Sequence, residues 1–298
     1  MPYFRFVLFL LYRILVTQTS PTYVWAPDQR VVVDAWFRGV GERKPGETIG
    51  ELAVRAGKMR IGTPYLDAQQ IDAAESLSIE LETLQCQSFV ESSLSIARCV
   101  ANLTPTPECF AREIEDLRYR DGEVNGYASR LHYFNDWLID NTRRGAIVML
   151  SEGMQTSPWT QRVDYMTMHQ KRYPALAHPE VLAEIGAAEA RLSETAYRII
   201  PKDRISGIES ELQTGDVIAF VSSRKPGLMI SHTGLVVRAV DGSLKLMHAS
   251  SFHKKVVLTK ADLTGYMHSR PERIGIMVAR PLPLVRKTDV TTTARTTK

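Results

Sequence analysis

Cysteine is scarce in this chain, with three among 298 residues, too few for the disulfide framework that holds small secreted domains together. The count is odd, so at least one thiol stays free of any internal pairing. No glycine-rich phosphate loop occurs, which leaves nucleotide chemistry without a foothold. Neither CxxC nor HExxH is present, so the usual close pairs of zinc ligands are missing. No run approaches the roughly 20 apolar residues of a membrane-spanning helix. Hydrophobic residues make up 44% and charged residues 23%, which excludes a multi-span membrane protein and a disordered chain alike. A strong excess of one charge is also lacking. The 37 Lys and Arg stand against 33 Asp and Glu, and the formal +4 is spread along the chain rather than gathered in a block, which argues against nucleic acid as a partner. A mildly basic surface suits an anionic polymer such as a cell wall. The length sits at the upper edge of what one hydrophobic core organises, so one large domain or two small ones are open.

The N-terminus carries Arg5 before an apolar run from Phe6 to Val16 that only Arg13 interrupts, then a Thr/Ser/Pro stretch and Val24-Trp25-Ala26. This pattern fits an export signal over 1–26, with no cysteine nearby for a lipid anchor. An amphipathic or core element of a cytoplasmic protein is the competing reading, and Arg13 favours it. A single domain over 27–285 and a Thr-rich disordered tail over 286–298 complete the expected organisation. In an exported, oxidisable chain Cys99 and Cys109 are close enough in sequence to pair, leaving Cys86 free. Two buried reduced cysteines are the alternative.

Val31 to Val33 reads as a β-rich run. Thr48 with Glu51 three residues on has capping-box spacing, and Ile49, Leu52, Ala53, Ala56 and Met59 follow helical periodicity. A second helix spans 86–103 with Cys86 at its start. Thr106-Pro107 reads as an N-cap and first helical residue. Further helical patterns cover Ser129 to Asn141 and Pro179 to Arg198, making the middle third helical. After Pro201 the texture changes to short strands: Asp216 to Val221, His232 to Arg238, Leu244 to His248, Val256 to Leu258 and Ile274 to Ala279. Asp241-Gly242 can turn a hairpin between the second and third. Helices followed by an antiparallel sheet predict an α+β domain.

A helix N-terminus favours negative charge and lowers a thiol pKa, and Cys86 has that position. A lone cysteine there is ordinarily packing. The sheet adds Ser231-His232-Thr233-Gly234 at the start of one strand and His248-Ala249-Ser250-Ser251 at the end of the next. A thiol and an imidazole need a third group to orient the ring, and a second histidine on the neighbouring strand can serve. Register decides whether they meet. An even loop puts the two histidines on opposite faces; an odd loop such as Val240 to Gly242 puts His248 opposite Gly234, with His232 its diagonal neighbour on the same face.

Gly62-Thr63-Pro64-Tyr65, Cys86-Gln87-Ser88-Phe89-Val90-Glu91, Gly215-Asp216-Val217-Ile218, Ser231-His232-Thr233-Gly234 and His248-Ala249-Ser250-Ser251 resemble, in order, the motifs of NlpC-type papain-like cysteine peptidases. More closely, the chain resembles the N-acetylmuramoyl-L-alanine amidase-like branch, which also shows a motif like Arg130-Leu131-His132-Tyr133 followed by Asp136-Trp137. The likeness runs from about Ile61 to Arg280. It implies a papain-like α+β fold with a helical insertion at about 104–200, and Cys86 as nucleophile, His232 as base and His248 as its orienting partner. By the same resemblance Tyr65 sits beside the nucleophile and Ser231 lines the cleft. Gln85 departs from the pattern, which usually has Asp before the nucleophile. The implied reaction is acyl transfer from a peptidoglycan amide to the thiolate, then hydrolysis, in the periplasm or cell envelope of a monomer that needs no cofactor, binds no nucleic acid and has no membrane span once mature.

Other readings compete. A thiolate and two imidazoles can bind zinc, the acyl acceptor can be something other than water, and an enzyme-like pocket can belong to an inert wall-binding protein. Within the hydrolase reading, the muramyl lactyl to L-Ala bond and the D-Glu to diamino acid bond demand the same apparatus. His132 reads as a core or cleft-wall residue with a chance of touching substrate, and Arg130 as either a carboxylate clamp or a solvated cation. His169, His178, His253 and His268 read as surface or loop residues, Tyr133, Phe134 and Trp137 as packing, and Asp216 as a turn residue.

Overall fold

The computed structural model describes residues 23–67, 75–150 and 154–283. The expected leader, up to residue 22, and the tail over 286–298 lie outside the described residues. Tyr23 to Ala26, at the end of that expected leader, belong to the fold: Val24–Trp25 (β1) pairs in parallel with Ser78–Ile79 (β2), and Tyr23 Oη donates to Glu115 at 3.0 Å.

The run Val31 to Val33 forms no strand. It lies inside Gln29–Val40 (α1), where Val33, Trp36, Phe37 and Val40 recur at helical spacing and are buried. Burial of that stripe overrides the β preference of a three-valine run. Ile49–Lys58 (α2) begins as expected on a reciprocal capping box between Thr48 and Glu51. Cys86–Ala101 (α3) and Pro107–Arg118 (α4) follow, the latter capped by Thr106 with Pro107 in its first turn. Cys99 and Cys109 form a disulfide that ties α3 to α4 in the core, and Cys86 is the free thiol. Closing so short a loop constrains the unfolded chain by about 3 kcal/mol. Cys109→Ala is therefore expected to lower unfolding stability by about that amount, read as a shifted midpoint at unchanged slope in urea titrations.

The helical pattern over Ser129 to Asn141 begins later than expected, at Phe134–Arg143 (α5). The middle third is also less helical than its periodicity suggests. Ile147–Met149 (β3), Ser157–Trp159 (β4) and Tyr197–Pro201 (β5) interleave with Tyr165–Met168 (α6) and Pro179–Glu194 (α7). The pattern carried to Arg198 thus breaks at Glu194, and alternation of Tyr197, Ile199 and the exposed Arg198 marks the strand. Ile205–Ile208 (α8) leads into Val217–Ser222 (β6), Ile230–Arg238 (β7), Leu244–Ser250 (β8), Lys255–Leu258 (β9), Leu263–His268 (α9) and Arg273–Pro281 (β10).

Eight strands form one antiparallel sheet in the order β4-β5-β10-β6-β7-β8-β9, with β3 also on β10. Strand alternation splits the apolar residues between two faces. Val217, Ala219, Val221, Leu235, Val237, Met247 and Ala249 join the cluster that contains α1 to α4, whereas Ile218, Phe220, Val236 and Leu246 pack with α8 and α9. The Gly215-Asp216 pair is more than a turn. Gly215 has φ +91°, and a Cβ there would come within 2.1 Å of the Gly50 backbone, so glycine lets the start of α2 meet the sheet. Asp216 is buried and takes a bidentate pair from Arg280 at 2.8 and 2.9 Å. No described helix is long and apolar enough to cross a membrane.

Candidate active site

The hairpin between β7 and β8 resolves the register question. Ala239 and Ser243 close around Val240-Asp241-Gly242, an odd loop, and the ladder runs Arg238 to Leu244 through Leu235 to Met247. Extending it sets Gly234 across from His248. A Cβ on Gly234 would lie 2.9 Å from the His248 Cβ, so glycine leaves room for that side chain to lean toward His232. The two imidazoles meet edge to face, with His232 Nε2 2.6 Å from His248 Nδ1. Nδ1 of His232 takes no part in that contact.

The ladder between β7 and β8 stops at Leu235. The next amide in its alternation, that of Thr233, is at the sulfur of Cys86 together with the amides of Gln87 and Cys86 itself. The start of α3 thus meets β7 where its pairing with β8 ends. Ser88 Oγ accepts from the Gln85 N–H at 2.9 Å, closing the helix start without an acid at position 85.

Electrostatics differ from the sequence expectation. Burial pushes the Cys86 thiol up, and the three amides only partly offset it. Burial, then the neighbouring His248 and Arg273 charges, hold His232 well below the usual imidazole range. The same burial with Arg273 brings His248 to about 3. These shifts favour the neutral forms of the thiol and of both imidazoles. Tyr65 stands close enough to Cys86 to feel its charge, and burial first, then that charge, pushes its phenol to about 12.

Ser231 is exposed and borders a cavity of about 390 Å³ with His232 and His248. Arg130 and His132 lie elsewhere, in a cleft of about 210 Å³ beside the first turn of α3 that Gln87 and Glu91 also line. Arg130 is no free clamp: it donates to Glu75 at 2.9 Å and lies over the Tyr119 ring. His132 precedes α5 rather than lying within it, donates from Nε2 to the Tyr127 carbonyl at 2.9 Å and lies tilted against the Tyr127 ring with centroids 4.4 Å apart. Tyr133, Phe134 and Trp137 are buried packing. The sequence reading missed Phe220, Tyr266 and Arg273, which surround the histidine pair, and treated His253 as peripheral although it lines the same cavity. No spacing signal joins these residues, because α9 and β10 reach the site only through the sheet order. No group of three His, Cys, Asp or Glu side chains among the described residues is disposed to hold a metal ion.

Burial brings both His132 and His248 to about 3 in the fold, against about 6.5 unfolded. Between those values the unfolded chain binds more protons, so stability is complete above about pH 6.5 and falls as pH drops toward 3. Thermal melts are expected to show a falling midpoint from pH 7 to 5, with a shallower fall in His132→Asn.

Residues 55–276 match the AmiA-like family, described as N-acetylmuramoyl-L-alanine amidase-like. No curated protein matches the chain. Among solved structures, an N-acetylmuramoyl-L-alanine amidase from Bacteroides uniformis ATCC 8492 is 30% identical with a TM-score of 0.72, over 78% of this chain and 99% of its own. A Bacteroides fragilis protein assigned provisionally as a xylanase is 33% identical with a TM-score of 0.69, over 75% of this chain and 98% of its own. A Legionella pneumophila protein at 17% identity and TM-score 0.64, over 86% of this chain and 95% of its own, shares the fold. With most of its length matched, the chain belongs to the N-acetylmuramoyl-L-alanine amidase-like (AmiA-like) family.

Proposed function

We propose that the protein is an exported cysteine amidase of papain-like, NlpC-type character that cleaves the bond between the muramyl lactyl group and L-Ala in peptidoglycan. The observation that carries this reading is the 2.6 Å contact between His232 and His248 beside a thiol held by the Thr233 amide. His232 Nδ1 takes the Cys86 proton as the sulfur attacks the amide carbonyl. The resulting imidazolium gives that proton to the leaving amine as the C–N bond breaks. Water, deprotonated through the same ring, then hydrolyses the thioester and restores the thiol. His248 accepts the Nε2–H of His232 and fixes the tautomer that leaves Nδ1 basic. The Cys86 amide at the helix start is one donor for the oxyanion, and the Tyr65 hydroxyl is a second.

Because the resting thiol is neutral, proton transfer accompanies attack rather than preceding it. The family and the amidase named among the solved relatives support the substrate class. The disulfide between Cys99 and Cys109 supports an oxidising compartment. A glycosidase reading, which the Bacteroides fragilis relative raises, finds less support: such enzymes ordinarily use a carboxylate pair, and among the described residues Glu272 is the one acid lining the cavity at the histidines.

Mass spectrometry of muropeptides after digestion tests the reading, with Cys86→Ala as control. Release of peptides with a free L-Ala amino terminus is the expected result. Cleavage after D-Glu would replace the amidase by an endopeptidase, and equal cleavage by Cys86→Ala would overturn the cysteine mechanism.

A further inference from the structure

The cavity beside the imidazoles holds about 390 Å³, and two groups on its wall lack the partners that burial demands. His248 is 2% exposed, its Nδ1 is taken by His232, and its Nε2 is buried with no hydrogen-bond partner among the described residues. Arg273 is 9% exposed. Its guanidinium lies 3.9 Å from the Tyr266 ring centroid and 5.1 Å from that of Phe220, and it donates to the Tyr266 carbonyl. Among the described residues no carboxylate pairs with it. Arg224 and Arg270 line the same cavity, again with no carboxylate paired to either, against the single acid Glu272. A buried ring nitrogen without a hydrogen-bond partner and a buried cation without an anion each cost free energy. One anion would relieve both.

We propose that this cavity is a carboxylate-binding subsite, in which a carboxylate of the bound peptide accepts the Nε2–H of His248 and faces Arg273; the proposal rests on the amidase reading above. The tautomers follow in sequence. With Nε2–H of His248 held by the carboxylate, its Nδ1 accepts from His232 Nε2–H, and His232 Nδ1 is the nitrogen left for the thiol. The ligand thus supplies the anion that the protein does not place next to its second histidine, and the base is completed only when a carboxylate-bearing peptide is bound. A peptide is the occupant because exposed Ser231 borders the cavity at the proposed reaction centre.

Calorimetric titration of full-length Cys86→Ala with the dipeptide L-Ala-D-Glu and with its dicarboxamide tests this. The acid is expected to bind at least tenfold more tightly, and to move the His248 ring nitrogen resonances where the amide does not. Arg273→Gln should lower acid affinity at least tenfold and leave amide affinity within twofold. Ser231→Asp, at an exposed position, should do the same by placing a competing carboxylate at the cavity, and it keeps the test valid if Arg273→Gln does not fold. Equal affinity for the two ligands, no binding of the acid at millimolar concentration, or an acid preference that survives Ser231→Asp would overturn the subsite. Muropeptide cleavage without acid selectivity removes the subsite alone. Acid-selective binding without cleavage by the unaltered protein removes the amidase reading alone.

Discussion

Cys86→Ala is expected to lower amide hydrolysis by about 10,000-fold or more while leaving the thermal midpoint nearly unchanged. The rate effect follows from the role of the sulfur: without it no acyl-enzyme forms, and the neighbouring amides and imidazoles have no nucleophile to serve. Groups that act as a unit are far from additive, so His232→Ala should cost a similar factor and the double variant little more. The small stability effect follows from position. Cys86 is only part-buried, at the first residue of α3, and its helix start is held by Ser88 rather than by the thiol. Steady-state rates on a muropeptide together with thermal melts check both halves. A Cys86→Ala protein that keeps activity within tenfold of the parent contradicts the cysteine mechanism.

Arg118→Leu is expected to destabilise the fold by about 3–5 kcal/mol, the range for leaving one partner of a buried ion pair alone. Glu91 on α3 is 1% exposed, and Arg118 at the end of α4 donates to it at 2.8 Å. Gln87 Nε2 also donates to Glu91 at 2.9 Å, so the carboxylate ties α4 to the first turns of the cysteine helix. Removing the guanidinium leaves a charge in the core with one neutral donor. The double variant Arg118→Leu/Glu91→Leu should recover most of the loss, because replacing both charges removes the desolvation cost as well as the attraction. Urea titrations of Arg118→Leu, Glu91→Leu and the double variant measure the coupling. Equal destabilisation in the single and double variants would show that packing rather than charge holds this contact.

Much of the local structure was legible because short-range rules decide it. Thr48 with Glu51 and Thr106 with Pro107 cap helices through atoms a few residues apart, and no tertiary contact is needed to predict them. Strand alternation tied the faces of His232 and His248 to the parity of one loop, since side chains change sides with a period of two whatever the surroundings, and the structure supplied the odd loop. Val31 to Val33 misled for the complementary reason: local preference amounts to tenths of a kcal/mol per residue, while burying a stripe that includes Trp36 and Phe37 is worth several. The sequence leaves Arg130 open between a carboxylate clamp and a solvated cation and His132 between core, cleft wall and substrate contact, and only the fold shows them engaged with Glu75 and Tyr127.

What the amino-acid order determined by itself was the punctuation: where helices begin, which residues within each of the last strands share a face, and that a cysteine opens a helix. The tertiary structure alone decided what surrounds those groups. The ladder of β7 ends where the Thr233 amide meets the sulfur, and β10 and α9 bring Arg273 and Tyr266 to the imidazoles from positions distant along the chain. Proton affinities depend on that enclosure, because desolvation and neighbouring charges act through space. That enclosure favours a neutral thiol beside neutral rings, where the helix tip by itself favours a thiolate.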